Sequence, residues 1–258
     1  MRVFRLCVCG AAILFGFYLW LAHQMPWRDE FAQLSHYQDA NKSLNAQPHR
    51  VVFLGDSITS FWDLTKYFPG RPYVNRGIAG QTTSQMLLRF EQDVVSLQPE
   101  TVVILAGTND IARHMGEPEI EANYRALAEL SSANRIKVVF ASLLPVHNYT
   151  FDSALTFRPM RKITALNTWL KQYCELNRLT YLDYFSAMVD ERGLLKKDFS
   201  PDGVHPNAEG YRVMAMLVGS VLEKPTSTSV SVHPGLLAPP FRTRPSSDSM
   251  TVKQPRQF

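Results

Sequence analysis

The chain keeps returning to one pattern: a short, unbroken apolar run that stops at a small or polar turn and gives way to a stretch of helical length. Val51-Val52-Phe53-Leu54 halts at Gly55, Thr101-Val102-Val103-Ile104-Leu105-Ala106 at Gly107, and Ile136-Lys137-Val138-Val139-Phe140 at a long loop. Runs that are apolar at successive positions suit strands of a parallel sheet covered on both faces. Pro72-Tyr73-Val74-Asn75 and Leu179-Thr180-Tyr181-Leu182-Asp183 read as two further short strands. Helices are expected from Thr82 or Thr83 through Phe90 and beyond, over 117–134 with Ile120, Tyr124, Leu127 and Leu130 on one side, over 160–176, and from Pro206 to Leu222. Strands that alternate with helices require right-handed crossovers. The prediction is a single flavodoxin-like α/β/α sandwich with a five-stranded parallel sheet.

In such a sheet ligands bind at the carboxyl edge of the strands. Ser57 sits there, after Gly55-Asp56, where a strand turns into a helix. Helix capping alone would explain an isolated Gly-Asp-Ser. A serine becomes a useful nucleophile only when a base takes its proton. His205 can serve, because the loop before the last helix returns to the same edge, and Asp202, three residues earlier, can reach the ring Nδ1–H across a turn. Among the six other histidines, only His114 and His147 follow predicted strands closely enough to compete for the base.

Four ordered blocks carry a resemblance: Gly55-Asp56-Ser57-Ile58, Asn75-Arg76-Gly77-Ile78-Ala79-Gly80, Gly107-Thr108-Asn109-Asp110 and Asp202-Gly203-Val204-His205-Pro206-Asn207. Across about residues 50–222 the chain resembles the SGNH (GDSL-type) hydrolases, in wording nearest the platelet-activating-factor acetylhydrolase-like members. That resemblance implies Ser57 as nucleophile, His205 as base and Asp202 as its orienter. It also implies an oxyanion hole from the Ser57 amide, the Gly80 amide and Asn109, and a strand order of 2-1-3-4-5. Gly80 lacks the Cβ that would keep a substrate from the backbone. Gly77, Asp110 and Asn207 are read as residues that shape turns and caps, and Trp62 and the loop Pro145–Pro159 as lining for an acyl pocket.

Outside this body the composition changes. Residues 6–22 are uncharged and mostly apolar behind Arg2 and Arg5, which reads as a signal anchor or signal peptide within 1–24 that would place the body on the extracytoplasmic side, or release it by secretion if the leader is cleaved. A linker is expected over 25–49, the hydrolase domain over 50–224, and a disordered Pro/Ser/Thr-rich tail over 225–258. Of the formal charge of +4, two units belong to Arg2 and Arg5 and a net three to the tail, which leaves residues 25–224 at −1. A body without a basic stripe is not expected to bind nucleic acid.

Three cysteines are too few for a disulfide framework, and Cys174, set in a predicted helix, reads as a packed thiol. No grouping of His, Cys and carboxylates has metal-ligand spacing, so no metal and no cofactor are expected. Sequons at Asn41 and Asn148 matter only in a host that glycosylates exported proteins.

The expected activity is a serine esterase acting through an acyl-enzyme on short O-acyl groups of a small-molecule, lipid or glycan ester. A longer acyl slot would make it a lysophospholipase or thioesterase, and loss of catalysis would leave a module that binds acylated glycans.

Overall fold

A computed structural model of the chain describes residues 30–149 and 153–223. The apolar runs become the strands β1 (Val51–Gly55), β2 (Tyr73–Gly77), β3 (Thr101–Leu105), β4 (Lys137–Ala141) and β5 (Thr180–Leu182). They form one sheet in the order β2-β1-β3-β4-β5, every neighbouring pair parallel. All five residues of β1 and all five of β3 are buried, as continuous apolar runs demand of central strands.

Alternate strand residues feed two cores. Val52, Leu54, Val102, Ile104, Val138 and Phe140 face the long helices α4 (Thr83–Asp93), α6 (Glu117–Ala133) and α8 (Met160–Asn177). Val51, Phe53, Val103, Leu105, Val139 and Leu182 face the other way, onto α10 (Ala208–Leu222) and onto side chains from the short helices α2 (Ser57–Ser60), α3 (Leu64–Tyr67) and α9 (Phe185–Met188). Two further short helices, α5 (Thr108–Ala112) and α7 (Ser153–Phe157), follow β3 and β4. The sequence reading missed α7 and treated all of Pro145–Pro159 as loop. A five-residue helix is too short to show a period.

Cys174 lies wholly inside the first core, where burial pushes its thiol up to about 12. Trp62 is corrected: it does not line a pocket but packs in the second core, stacked on Tyr211 with ring centroids 5.6 Å apart. Asn207 behaves as expected and caps α10, accepting hydrogen bonds from the N–H groups of Glu209 and Gly210.

Residues 31–45, expected to be linker, are fastened to the domain and include the short helix α1 (Gln38–Lys42). Gln81, Gln85 and Gln92 donate to the carbonyls of Ala32, Phe31 and Leu34. Asn41 donates to Asp93 Oδ1 at 2.8 Å, and Tyr37 donates to the Gly77 carbonyl beneath the Arg76 guanidinium. Attachment through glutamine side chains and backbone carbonyls leaves no apolar period to read. The leader, Cys7, Cys9, the whole tail and Thr150 of the second sequon lie outside the described residues. Among the described residues no helix is long and apolar enough to cross a membrane.

Candidate active site

The nucleophile turn depends on two glycines. A Cβ on Gly55 would lie 2.0 Å from Thr59 Oγ1, so only glycine lets α2 begin directly over the end of β1. A Cβ on Gly77 would lie 2.2 Å from the Ser60 nitrogen, so β2 and α2 touch backbone to backbone. Asp56 is the cap of α2, its Oδ1 accepting from the Ile58 N–H at 2.9 Å, and Ser57 is the first residue of that helix. The capping reading and the nucleophile reading thus fall on adjacent residues.

Ser57, 9% exposed, is linked through Oγ to His205 Nε2 at 2.9 Å. His205 Nδ1 lies 2.6 Å from Asp202 Oδ2, while Asp202 Oδ1 accepts from the backbone N–H groups of Val204 and His205 at 2.9 and 2.8 Å. Burial alone would raise the Asp202 carboxyl. The hydrogen bonds from His205 and Val204 outweigh it and hold the group down to about 2. An ionised Asp202 fixes the proton on Nδ1 and leaves the Nε2 lone pair toward Ser57. Phe61, 58% exposed, packs beside the imidazole at 5.3 Å.

His147 and His114 do not compete. His114 is exposed on the turn after α5. His147 is buried and braces the loop that carries the pair: its N–H donates to the Gly203 carbonyl at 3.0 Å and its Nε2 lies 3.3 Å from the Ser200 carbonyl. Gly203, at φ +89°, passes so close that a Cβ would sit 2.2 Å from the His147 oxygen.

Asn109 reaches the nucleophile turn through Asp56, and Gly80 is the chain neighbour of Gln81, to which Asn109 bonds. Gly80 has φ +79°, and its carbonyl accepts from Arg113 Nη2 at 2.8 Å. The N–H groups of Ser57 and Gly80 donate to no group among the described residues. Asn109 is the second residue of α5 and is 7% exposed; its Nδ2 donates to the Gln81 carbonyl at 3.0 Å and lies 3.4 Å from Asp56 Oδ2. Its neighbour Asp110 accepts from the Thr83 N–H at 3.0 Å and from the Thr83 hydroxyl, tying α5 to α4. Asp56 is fully buried, and that burial raises its carboxyl to about 6 against the lowering pull of the Ile58 bond and of nearby His205 and Arg158.

Of the five residues named from the sequence, Ser57, His205 and Asp202 are joined directly, and Asn109 and Gly80 reach the same strand edge through Asp56 and Gln81, the chain neighbours of Ser57 and Gly80. Missed were Gln81, Arg113 and Arg158, whose bonds hold Gly80 and Asn109. Gln81 at least follows the glycine block directly, but no sequence signal marks the two arginines. Among the described residues, no three His, Cys, Asp or Glu side chains come together as a metal site.

The model of the GDSL-like lipase/acylhydrolase family matches residues 53–213. The chain belongs to that family. As a GDSL-like acylhydrolase it is a hydrolase acting on esters. A crystal structure of a GDSL-like lipase from Bacteroides thetaiotaomicron VPI-5482 superimposes with a TM-score of 0.70 at 37% identity, covering 75% of this chain and 98% of that one. An uncharacterized lipoprotein of Bacillus subtilis (strain 168) is 32% identical across 64% of this chain and 85% of its own. The acetylxylan esterase of Geobacillus stearothermophilus is 24% identical across 55% of this chain and 68% of its own. The chain spans only 45% of another curated relative, the N-acylneuraminate cytidylyltransferase of Escherichia coli O18:K1:H7, at 24% identity.

Proposed function

We propose that this acylhydrolase cleaves short O-acyl esters through an acyl-enzyme on Ser57. The observation that carries the reading is the relay from Ser57 Oγ through the His205 ring to Asp202, at 2.9 and 2.6 Å. As Oγ attacks the acyl carbon, Nε2 takes the hydroxyl proton and the carbonyl electron pair moves onto oxygen. That oxyanion meets the N–H groups of Ser57 and Gly80 and the second Nδ2 proton of Asn109, donors set before charge develops. Collapse of the intermediate expels the alkoxide, which receives the proton from the imidazolium. Water then attacks the acyl-enzyme by the same steps, and the acid leaves. Asp202 transfers no proton; it orients the ring and stabilises its charged form.

Short acyl groups are favoured by the likeness to the acetylxylan esterase, and the alcohol half is a sugar or a lipid headgroup. A longer acyl chain has one observation in its favour, the exposed Phe61 ring beside His205, which offers apolar surface at the reacting centre. Action outside the cytoplasm is supported by the apolar run behind Arg2 and Arg5 and by the likeness to a lipoprotein. The proposed partners are the ester substrate and, through that leader, a membrane, with no nucleic acid.

Treatment with a fluorophosphonate should label Ser57, with no labelling of Ser57→Ala, and turnover of p-nitrophenyl esters should fall with acyl length. Labelling elsewhere, or a wild-type chain that binds acylated glycans without hydrolysing them, would overturn the catalytic reading. A rise with acyl length would replace the short-chain substrate by a lysophospholipid or thioester.

A further inference from the structure

An asparagine amide serves an oxyanion only if its nitrogen, not its oxygen, faces the site, and the two ends are nearly the same size. Something must therefore choose the end. On one side of the Asn109 amide stands an acceptor, the Gln81 carbonyl, 3.0 Å from Nδ2. On the other stands a donor, Arg158 Nη2, 3.2 Å from Oδ1. A flipped amide would set oxygen against the Gln81 oxygen and N–H against the guanidinium, two repulsive contacts in a nearly buried place. With Nδ2 held as it is, one of its protons goes to Gln81 and the other has only the long 3.4 Å approach to Asp56 Oδ2 to leave when an oxyanion forms.

Arg158 is itself well fixed. Its Nε donates to Thr108 Oγ1 at 3.1 Å, so the planar fork grips two consecutive residues at the start of α5. Its own N–H donates to the Ala154 carbonyl at 2.9 Å, and Pro159 then starts α8. Among the described residues no carboxylate pairs with it within 4 Å, so its charge is not consumed in an ion pair. A cation bonded to the amide oxygen also draws electron density from the nitrogen and makes Nδ2–H a stronger donor. We infer that Arg158 is a positioning residue of the hydrolysis, its guanidinium fork locking the Asn109 amide with Nδ2 toward the reacting carbonyl. The inference rests on Asn109 being an oxyanion donor, as proposed above.

The test is a double-mutant cycle on the full chain with p-nitrophenyl acetate, a neutral substrate that gives Arg158 no anion to bind. Arg158→Ala should lower kcat by roughly 10- to 100-fold, the range for losing a hydrogen bond to a charged group, with KM little changed. In an Asn109→Ala background the same substitution should cost less than about two-fold in kcat, since the oxyanion donor it positions is gone and the bond to Thr108 touches no reacting atom. Arg158→Lys, which keeps charge but not the fork, should resemble Arg158→Ala, and added guanidinium ion should restore part of the Arg158→Ala rate. Equal losses in both backgrounds, a change confined to KM, or wild-type kcat in Arg158→Lys would each overturn the role. Thermal melts separate a folding defect: should Arg158→Ala melt early, the cycle is read from Arg158→Lys. A wild-type chain without turnover would instead overturn the esterase reading, and this inference with it.

Discussion

His205 and Asp202 stand three residues apart on one loop, with side chains 31% and 36% exposed, whereas Gly80 and Asn109 are held from separate segments and Asn109 is almost wholly buried. On the first side the decisive contact is local, and the backbone N–H groups of the same turn finish the job. On the second, Gln81 bonds Asn109 and passes its side chain to Ala32 and to the buried Arg89, which in turn bonds Asp93 and the Gly55 carbonyl. Proton transfer can thus be assembled by a short motif, while a site for developing charge has to be held rigid by the surrounding fold. Damage to the base on the first side should therefore show in rate alone, and damage to the second side in rate and stability together.

The sharpest break comes from the proton side. His205→Ala should lose roughly 10⁶-fold in kcat with a normal melting temperature, and Asp202→Ala roughly 10⁴-fold, because the orienter assists the base without replacing it; Asp202→Ala should also melt somewhat early, since the bonds that hold its carboxyl at about 2 stabilise the folded loop at neutral pH. Equal losses in the two variants would remove the distinction between base and orienter. Since its bonds hold the Asp202 carboxyl at about 2, that group stays ionised from pH 5 to 9 and adds no limb to the rate profile there.

Next in size is Asn109→Ala, expected to lower kcat by about 10² to 10³ with KM nearly constant. A loss seen only in KM would make Asn109 a ground-state contact.

Asp56, buried beneath that amide, links the oxyanion side to pH. Because burial raises its folded value to about 6, the folded chain holds this proton more tightly than the unfolded one. Its contribution is therefore fullest below the unfolded carboxyl value near 4, declines as pH rises toward 6, and is level above. Asp56→Asn keeps an acceptor for the Ile58 N–H and should remove that slope, worth up to roughly 3 kcal/mol between pH 4 and 7 in urea unfolding. An unchanged slope in the variant would assign the titration to another group.

The smallest effect is expected at the edge of the network. Tyr37→Phe deletes the bond to the Gly77 carbonyl and should cost about 1 kcal/mol of stability, with kcat altered less than about two-fold. A larger kcat loss would mean that residues 31–45 shape the glycine turn directly.

The difference between the two sides also governs what could be read from the sequence. The strands were legible because burial on both faces forces continuous apolar runs, and Asp202 with His205 because their spacing closes within one turn. Ser57, Gly80 and Asn109 were legible through the family blocks. Arg158, Gln81 and His147 were not: each acts on residues distant in the chain or through a backbone carbonyl, and a single polar residue has no period. The attachment of 31–45 escaped for the same reason, and Trp62 was misplaced because an aromatic ring after a nucleophile turn suits a pocket and a core equally.

The chain between β4 and α8 has one more consequence. Near its start, His147 clasps the loop of Asp202 and His205, and near its end Arg158 grips Asn109, so a single connection spans both sides of Ser57. In many α/β enzymes such a connection is free to vary, and new specificities are grafted there without touching the reaction. Here a transplanted loop would take away two braces at once. Diversification of this scaffold, in nature or by design, is better directed to positions such as Phe61, which borders the imidazole with a ring more than half exposed.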